Sequence, residues 1–388
     1  MKVLFLINGL GAGGTERSLV ELLPYALERG IEPLIAYRDQ CDEGVESIVR
    51  ALGVRLHRLP GRGRLGPVLA LRRMLREERP DLVHTMIFDS DIRGRLAAAG
   101  LPIPVLTSLV NTSYEPVRLL DPRIRRSRLA LARMLDGWTA RHLTDHFHAV
   151  TEAVKHSAVR HLGLAPERIT VVPRGRNALR LGRPSPDRRL HARRRFRLGE
   201  GERVIVTVGR QEFQKGQGYL LRAFAEVARK LPEARLVLAG RRGNASDELD
   251  GLVAELGLAE RVVFTGHLDD VEELLAAADL FVFPSLYEGM GGAAMEAMAL
   301  ALPIVASDLE ALREMLEPGG NCVMVPPADA GALAAALRTM LADPDRMAAF
   351  GRRSLEIFEQ HFTLDRVAGR MIDLFAAVAR GTAGAPAP

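Results

Sequence analysis

The feature that most restricts this chain is a rhythm that runs through it twice. Short apolar runs alternate with longer stretches whose apolar residues recur every three or four positions. The first pass has strands at 2–8, Glu32–Tyr37, Val54–Leu59, Asp81–His84, Val105–Ser108, His146–Val150 and Ile169–Pro173. A helix over Arg17–Arg29 puts Leu19, Leu22, Leu23 and Leu27 on one face. A basic helix follows Arg62-Gly63-Arg64 and runs to about Glu78, and an Arg-rich helix or helix pair spans Val117–His142. Residues 176–200 lack a strong period and read as a linker with an entry helix. The second pass has strands at Val204–Val208, Arg235–Ala239, Val262–Thr265, Leu280–Phe283, Ile304–Ala306 and Val323–Val325. Helices fill 329–360, and a last amphipathic helix over 364–379 follows a break at His361-Phe362-Thr363. Strand and helix in alternation require crossover connections, hence parallel sheets covered on both faces. The expected fold is α/β, with two doubly wound Rossmann-like domains and ligands at the carboxyl ends of the strands. Residues 381–388 read as an unstructured tail.

Composition agrees. At 388 residues the chain can hold two cores, and 47% hydrophobic with 5% aromatic residues makes those cores aliphatic. Cys41 and Cys322 are too few for a disulfide framework and suit a reducing compartment. The first apolar run is short for a signal peptide, and no window approaches a membrane span. The net charge of +5 conceals an asymmetry: the first half is basic and the second mildly acidic. A basic half attracts anionic partners or simply presents a solvated arginine-rich surface. Lysine is scarce, which singles out Lys215 in a glycine-flanked loop.

Three stretches carry chemistry. Pro284-Ser285-Leu286-Tyr287-Glu288-Gly289-Met290-Gly291-Gly292-Ala293-Ala294-Met295-Glu296 reads as strand end, glycine-rich loop and helix N-terminus, a place to hold an anion such as phosphate. Gly209-Arg210-Gln211-Glu212-Phe213-Gln214-Lys215-Gly216 follows the first strand of the second half. Its Arg210 and Lys215 can clamp a diphosphate with a planar fork and a point charge. Gly9-x-Gly11-x-x-Gly14 matches the dinucleotide fingerprint formally, yet a loop presenting its N–H groups, or a plain tight turn, explains it as well. Glu288 and Glu296 lie on one side of the loop and helix, and a carboxylate can accept two hydrogen bonds from a vicinal diol. Asp89-Ser90-Asp91 has the look of a metal triplet but stands apart from these stretches. His84 and His148 end strands and read either as structural histidines or as site residues.

Together these stretches resemble the retaining family-4 glycosyltransferases of the GT-B fold over almost the whole length. The resemblance rests on Gly13-Gly14-Thr15-Glu16-Arg17, Gly209-Arg210 with Lys215-Gly216, Leu238-Ala239-Gly240, Val263-Phe264-Thr265-Gly266, Pro284-Ser285-x-x-Glu288-Gly289-x-Gly291, Glu296-Ala297-Met298-Ala299 and Pro303-Ile304-Val305-Ala306-Ser307. It implies an acceptor-binding domain over 1–178 joined by a returning C-terminal helix, 363–380. A nucleotide-sugar domain would occupy 179–362. Arg210 and Lys215 would neutralise the donor diphosphate, Glu296 would take the ribose hydroxyls and Glu288 the transferred sugar. The N–H groups around Gly289, Met290, Gly291 and Gly292 would hold sugar and phosphates. Gly13 and Gly14 would close over the diphosphate, and the base would lie near Gly266 and His267. Three departures stand out. Met290 replaces a usual Phe. Arg174-Gly175-Arg176 replaces Asn-Gly-Val and adds two positive charges. A histidine usual after the strand at 105–108 is missing, where the chain reads Ser108-Leu109-Val110-Asn111. Candidate acceptor contacts are His84, Asn111 and Arg174.

The expected activity is sugar transfer with retention from a nucleotide-diphosphate sugar, a UDP-sugar favoured, to a saccharide or lipid-linked acceptor. No cofactor, essential metal or nucleic acid is expected. The expected location is cytoplasmic, with peripheral contact between the basic first domain and the inner face of an anionic membrane. The alternatives are nucleotide-sugar epimerisation or hydrolysis on the same fold, and an NAD-dependent oxidoreductase using Gly9–Gly14.

Overall fold

The computed structural model describes residues 1–41, 44–61, 63 and 65–383. The expectations for Arg62, Arg64 and 384–388 lie outside the described residues. The chain forms two compact units: unit 1 is Met1–Gly175 with the segment from Leu364, and unit 2 is Arg176–Thr363.

Unit 1 contains β1 (Lys2–Leu6), α1 (Gly14–Glu28), β2 (Glu32–Tyr37), α2 (Glu46–Ala51), β3 (Arg55–Arg58), α3 (Gly66–Glu78), β4 (Leu82–Met86), α4 (Phe88–Ala98), β5 (Val105–Leu109), α5 (Arg126–Leu143), β6 (His146–Ala149), α6 (Glu152–Leu162) and β7 (Ile169–Val171). Its sheet is parallel, in the order β3-β2-β1-β4-β5-β6-β7. Alternation along β1 divides the interior. Val3 and Phe5 join one core with Leu19 and Leu23 of α1, while Leu4 and Leu6 join another with Leu71 and Leu75 of α3.

Unit 2 contains α7 (Ala178–Leu181), α8 (Pro186–Arg195), β8 (Arg203–Val208), α9 (Gln217–Lys230), β9 (Ala234–Ala239), α10 (Ser246–Glu255), β10 (Val262–Gly266), α11 (Val271–Ala277), β11 (Leu280–Phe283), α12 (Gly292–Ala299), β12 (Ile304–Ser307), α13 (Glu310–Arg313), β13 (Cys322–Val325), α14 (Ala330–Leu341) and α15 (Pro344–Ile357). Its parallel sheet runs β10-β9-β8-β11-β12-β13. Phe224, Leu236, Leu280 and Leu337 lie in its core. A π-helical turn, Phe358–Phe362, follows α15. The last helix, α16 (Leu364–Ala379), belongs to unit 1, where it packs on α1, β4 and β5. Phe375 of α16 stacks edge-on against Phe5, with ring centroids 5.7 Å apart.

The stretch expected as a linker is largely structured. Within it, α8 is tied to the region around α11 by Arg188–Glu273 at 2.7 Å, Arg189–Asp279 at 2.6 Å and Arg193–Asp279 at 2.7 Å. Guanidinium groups rather than an apolar stripe make these contacts, so hydrophobic periodicity gave no sign of the packing. Among the described residues both cysteines are free thiols. No described helix is long and apolar enough to cross a membrane.

Candidate functional site

In unit 2 the strand order reverses between β8 and β11, which lie side by side. Loops leaving neighbouring strands at such a point diverge and open a crevice at the strands' carboxyl ends. The two loops that carry the sequence motifs leave these two strands. They are knitted together: Leu286 N–H donates to Gln214 O at 2.8 Å, and Gln214 Nε2 donates to Tyr287 O at 2.9 Å. Gly216 makes this approach possible. Its φ is +62°, and a Cβ there would stand 2.0 Å from Pro284 O.

The result is a part-buried cation in contact with a buried carboxylate. Lys215 Nζ lies 2.5 Å from Glu288 Oε1 and 5.4 Å from the centre of the Phe283 ring. Ser285 Oγ donates to the same carboxylate oxygen at 2.9 Å. Arg210 is half exposed and pairs with Glu212 at 2.7 Å. The chain after Glu288 passes through Gly289 and the buried Met290 into α12. Gly291 has no room for a side chain, because a Cβ would meet Phe283 at 2.8 Å. Among the described residues the N–H groups of Gly291 and Gly292 donate to no partner, as expected at a helix start. They form a free donor pair at the positive end of α12.

Glu296, one turn into α12, is buried and accepts from Arg176 Nε at 2.9 Å. Arg180 Nη2 lies 3.8 Å from the same oxygen. Arg176 is thus one partner of a buried ion pair, where the sequence suggested a charge added at the site's edge. Its Nη2 would lie 2.2 Å from a Cβ at Gly292, so that glycine also leaves room for the guanidinium. Gly266 ends β10 with φ +70°, and His267 Nε2 lies 3.3 Å from Asp269. The structure thus brings Arg210, Lys215, Glu288, Gly289, Met290, Gly291, Gly292 and Glu296 to the loops at the switch point. Gly266 ends the edge strand β10 of the same sheet and His267 follows it.

Gly13, Gly14, His84, Asn111 and Arg174 lie in unit 1. Gly14 opens α1, and Arg174 Nη2 donates to Thr15 Oγ1 at 3.0 Å. Asn111 Oδ1 accepts from Thr112 N–H at 2.8 Å. A cavity enclosing about 580 Å³, counted to its open mouth, is lined by His84, Ser108, His148, Arg174 and apolar residues of α1 and α16; Asn111 does not line it. At its base a directed chain of hydrogen bonds fixes both imidazoles. His148 Nε2 donates to Val172 O at 2.8 Å, Ser108 Oγ donates to His148 Nδ1 at 2.8 Å, and His84 Nε2 donates to Ser108 Oγ at 2.7 Å. His84 Nδ1 is left buried without a partner. Burial keeps both rings neutral, pushing His84 down to about 3 and His148 down to about 4.

Two glycines of the dinucleotide-like loop have a packing reason. Gly9 and Gly11 bridge to Asp39 and Gly44, and a Cβ at Gly9 would meet Asp39 O at 2.7 Å. Asp89, Ser90 and Asp91 form the first turn of α4, where Ser90 donates to Asn8 Oδ1 at 2.6 Å. Sequence reasoning missed Ser285 as a partner of Glu288. It also missed Arg176 as the partner of Glu296, a pair 120 residues apart for which the sequence carries no local signal.

Two parallel-sheet Rossmann-like units, the second with paired charges and a helix start at its switch point, define the class: the GT-B fold. Anabaena HepE, solved with UDP-glucose, shares that fold with TM-score 0.84 and 21% identity, over 97% of this chain and 100% of that one. Family models match residues 12–178, as Glycosyltransferase Family 4, and 202–343, as Glycosyl transferases group 1. A D-inositol 3-phosphate glycosyltransferase of Thermobispora bispora is 32% identical over 297 residues, covering 74% of this chain and 68% of that relative. An uncharacterised glycosyltransferase of Methanocaldococcus jannaschii is 35% identical over 159 residues, and the match spans only 40% of each chain. The chain belongs to the group 1, family 4 glycosyltransferases.

Proposed function

We propose that the protein transfers a sugar, with retention, from a nucleotide-diphosphate sugar to a saccharide or lipid-linked acceptor. The observation that carries this reading is the arrangement at the β8/β11 switch point: Lys215 against Glu288, beside the open N–H groups that begin α12. In this reading Lys215 and Arg210 take the charge that grows on the diphosphate as the anomeric bond breaks. Stabilising charge where it develops is the differential binding that catalysis needs. Glu288, fixed by Ser285 and Lys215, orients the sugar hydroxyls. Glu296, held by Arg176 on one oxygen, accepts from the ribose through the other. Gly266 and His267 face the base. Front-side attack guided by the departing diphosphate gives retention without a protein nucleophile. No metal step is required, since the cations and helix start supply the positive charge.

A UDP-sugar is favoured, with support from the fold relative solved with UDP-glucose. An anionic acceptor suits the basic first half, with support from a relative whose name specifies D-inositol 3-phosphate. We place the reaction in the cytoplasm, with the acceptor met at or near the inner face of a membrane. The NAD-dependent reading is set aside, because Gly9 and Gly11 are accounted for by packing and the family is one of transferases.

The test is a thermal-shift screen of UDP-, GDP- and ADP-sugars, since a ligand that binds the native state raises Tm by mass action. Turnover with the stabilising donor, with and without acceptors, follows, and NMR reads the product anomer. Transfer with retained configuration supports the reading. Release of free sugar or an epimer in place of transfer would favour the hydrolase or epimerase alternative, and an inverted product would refute retention.

A further inference from the structure

We propose that the outer face of the α3–α4–α5 layer in unit 1 is a docking surface for an anionic lipid bilayer, with Trp138 inserted at the headgroup level. The proposal starts from an apolar stripe in a place that needs none. One face of α5 is already satisfied: Asp136, Thr139 and Ala140 are buried, and Asp136 Oδ1 pairs with Arg95 Nη1 of α4 at 2.7 Å. Tyr114 donates to the other oxygen of Asp136 at 2.8 Å. On the opposite face Leu131, Met134, Leu135 and Trp138 are 61%, 65%, 42% and 51% exposed. Their spacing of i, i+3, i+4 and i+7 makes them a continuous stripe along the helix. α3 also packs on α4; Leu69 within it is 66% exposed and Leu65, just before its start, 72%. Among the described residues of unit 2, by contrast, only Leu179 and Val263 are large apolar side chains with comparable exposure. Exposed apolar surface gathered on one layer marks an interaction site, whereas the same residues scattered singly would not.

Charge decides the occupant. Arg125, Arg126, Arg128 and Arg133 are exposed, and none has an acidic partner among the described residues. The carboxylates of the same segment are turned to partners of their own. Asp121 pairs with Arg123 at 2.8 Å, Asp136 with Arg95, and Glu115 accepts from Ser157 at 2.8 Å. That segment therefore offers arginines, aliphatic side chains and an indole with no free carboxylate, while on the neighbouring helices Glu77 of α3 pairs with Arg73 at 2.8 Å and Asp89 at the start of α4 is exposed. That combination matches an amphipathic helix lying in the plane of an anionic membrane. Two copies of the face would bring like charges together, and a nucleic acid would leave the apolar stripe uncovered. The proposal does not depend on the donor reading, because its readout is lipid binding alone.

Trp138 is the only tryptophan, so the intrinsic fluorescence of the full chain reports on this face. The experiment titrates the protein with vesicles of phosphatidylcholine alone and of phosphatidylcholine with phosphatidylglycerol. With the anionic vesicles the emission should shift to the blue, brominated acyl chains should quench it, and added salt should reverse both effects. Replacing Arg125, Arg126, Arg128 and Arg133 with Gln should weaken partitioning about fivefold per arginine, several hundredfold together. Leu131→Asp with Met134→Asp should abolish the shift. These positions are exposed, so unchanged circular dichroism and an unchanged urea midpoint would confirm intact folding. The proposal is overturned if anionic vesicles leave Trp138 emission unmoved, if the variants bind as tightly as the wild type, or if sedimentation shows that Trp138 is buried by self-association without lipid.

Discussion

Replacing Arg176 with Met removes one half of the buried pair that holds Glu296. Both side chains are nearly inaccessible, at 1% and 7%, and the contact is 2.9 Å. Truncating one member of such a pair leaves an uncompensated charge and typically costs about 3–5 kcal/mol. Arg180 Nη2 remains buried 3.8 Å from the same carboxylate and can offset part of its charge, so the lower end, about 3 kcal/mol, is expected. For a unit of this size that corresponds to a fall in Tm of roughly 6–12 °C. Trp138 lies in unit 1 whereas the pair lies in unit 2, so far-UV circular dichroism or calorimetry, which read both units, is the assay. The double variant Arg176→Met with Glu296→Gln removes both charges and should recover at least half of the loss, since buried pairs exchange for neutral groups at small cost. Glu296→Gln alone should weaken UDP binding by about tenfold or more if the carboxylate takes the ribose, because hydrogen bonds to charged groups contribute about 1.5–3 kcal/mol. The reasoning fails if the Arg176 variant loses less than about 0.5 kcal/mol and the double variant is additive, since close partners should couple.

Lys215→Ala and Glu288→Ala should each lower kcat on the order of a hundredfold or more with the fold intact, judged by circular dichroism; near-normal turnover in either would remove its assigned role. Gly216→Ala forces a side chain into positive φ and against Pro284 O, and should cost about 1–2 kcal/mol or more while weakening donor binding, as read by urea unfolding and UDP titration. The third prediction concerns pH. His84 and His148 stay neutral in the fold down to about 3 and about 4, against 6.5 in an exposed histidine, so the unfolded chain binds more protons below that value. Stability should therefore fall as pH drops from about 6.5 towards 4, at up to about 1.4 kcal/mol per pH unit for each histidine. Asp91 acts oppositely: burial raises its carboxyl to about 7, so its contribution weakens as pH rises from about 4 to 7. The readout is therefore a difference. His84→Phe, which keeps the packing on Phe5 and Phe375, should flatten the slope of urea stability between pH 7 and pH 5, and an unchanged slope would refute burial as the cause.

The sequence by itself determined the elements and singled out the loops that meet at the β8/β11 switch point. Every expected strand is present to within a few residues; the central ones were legible because strands buried on both faces of a parallel sheet must be continuous apolar runs, as in β1 and β11. Lys215, Glu288 and the glycines before α12 were singled out by glycine and charge at short spacing, which is local information, and the structure places Lys215 against Glu288. Local information also explains the failures. Residues 176–200 read as a linker with an entry helix; the helix is there as α8, but its packing was hidden because it uses arginines whose partners lie about ninety residues away. Arg176 looked like a spare charge because its carboxylate is in α12. Only the tertiary structure decided which charges are paired and which are open. It consumed Arg95, Arg176 and Arg193 in buried pairs and left Arg125, Arg126, Arg128 and Arg133 on the surface. Burial and pairing depend on which elements the sheet order brings together, and that order is set by packing summed over the whole unit rather than by any one stretch of chain.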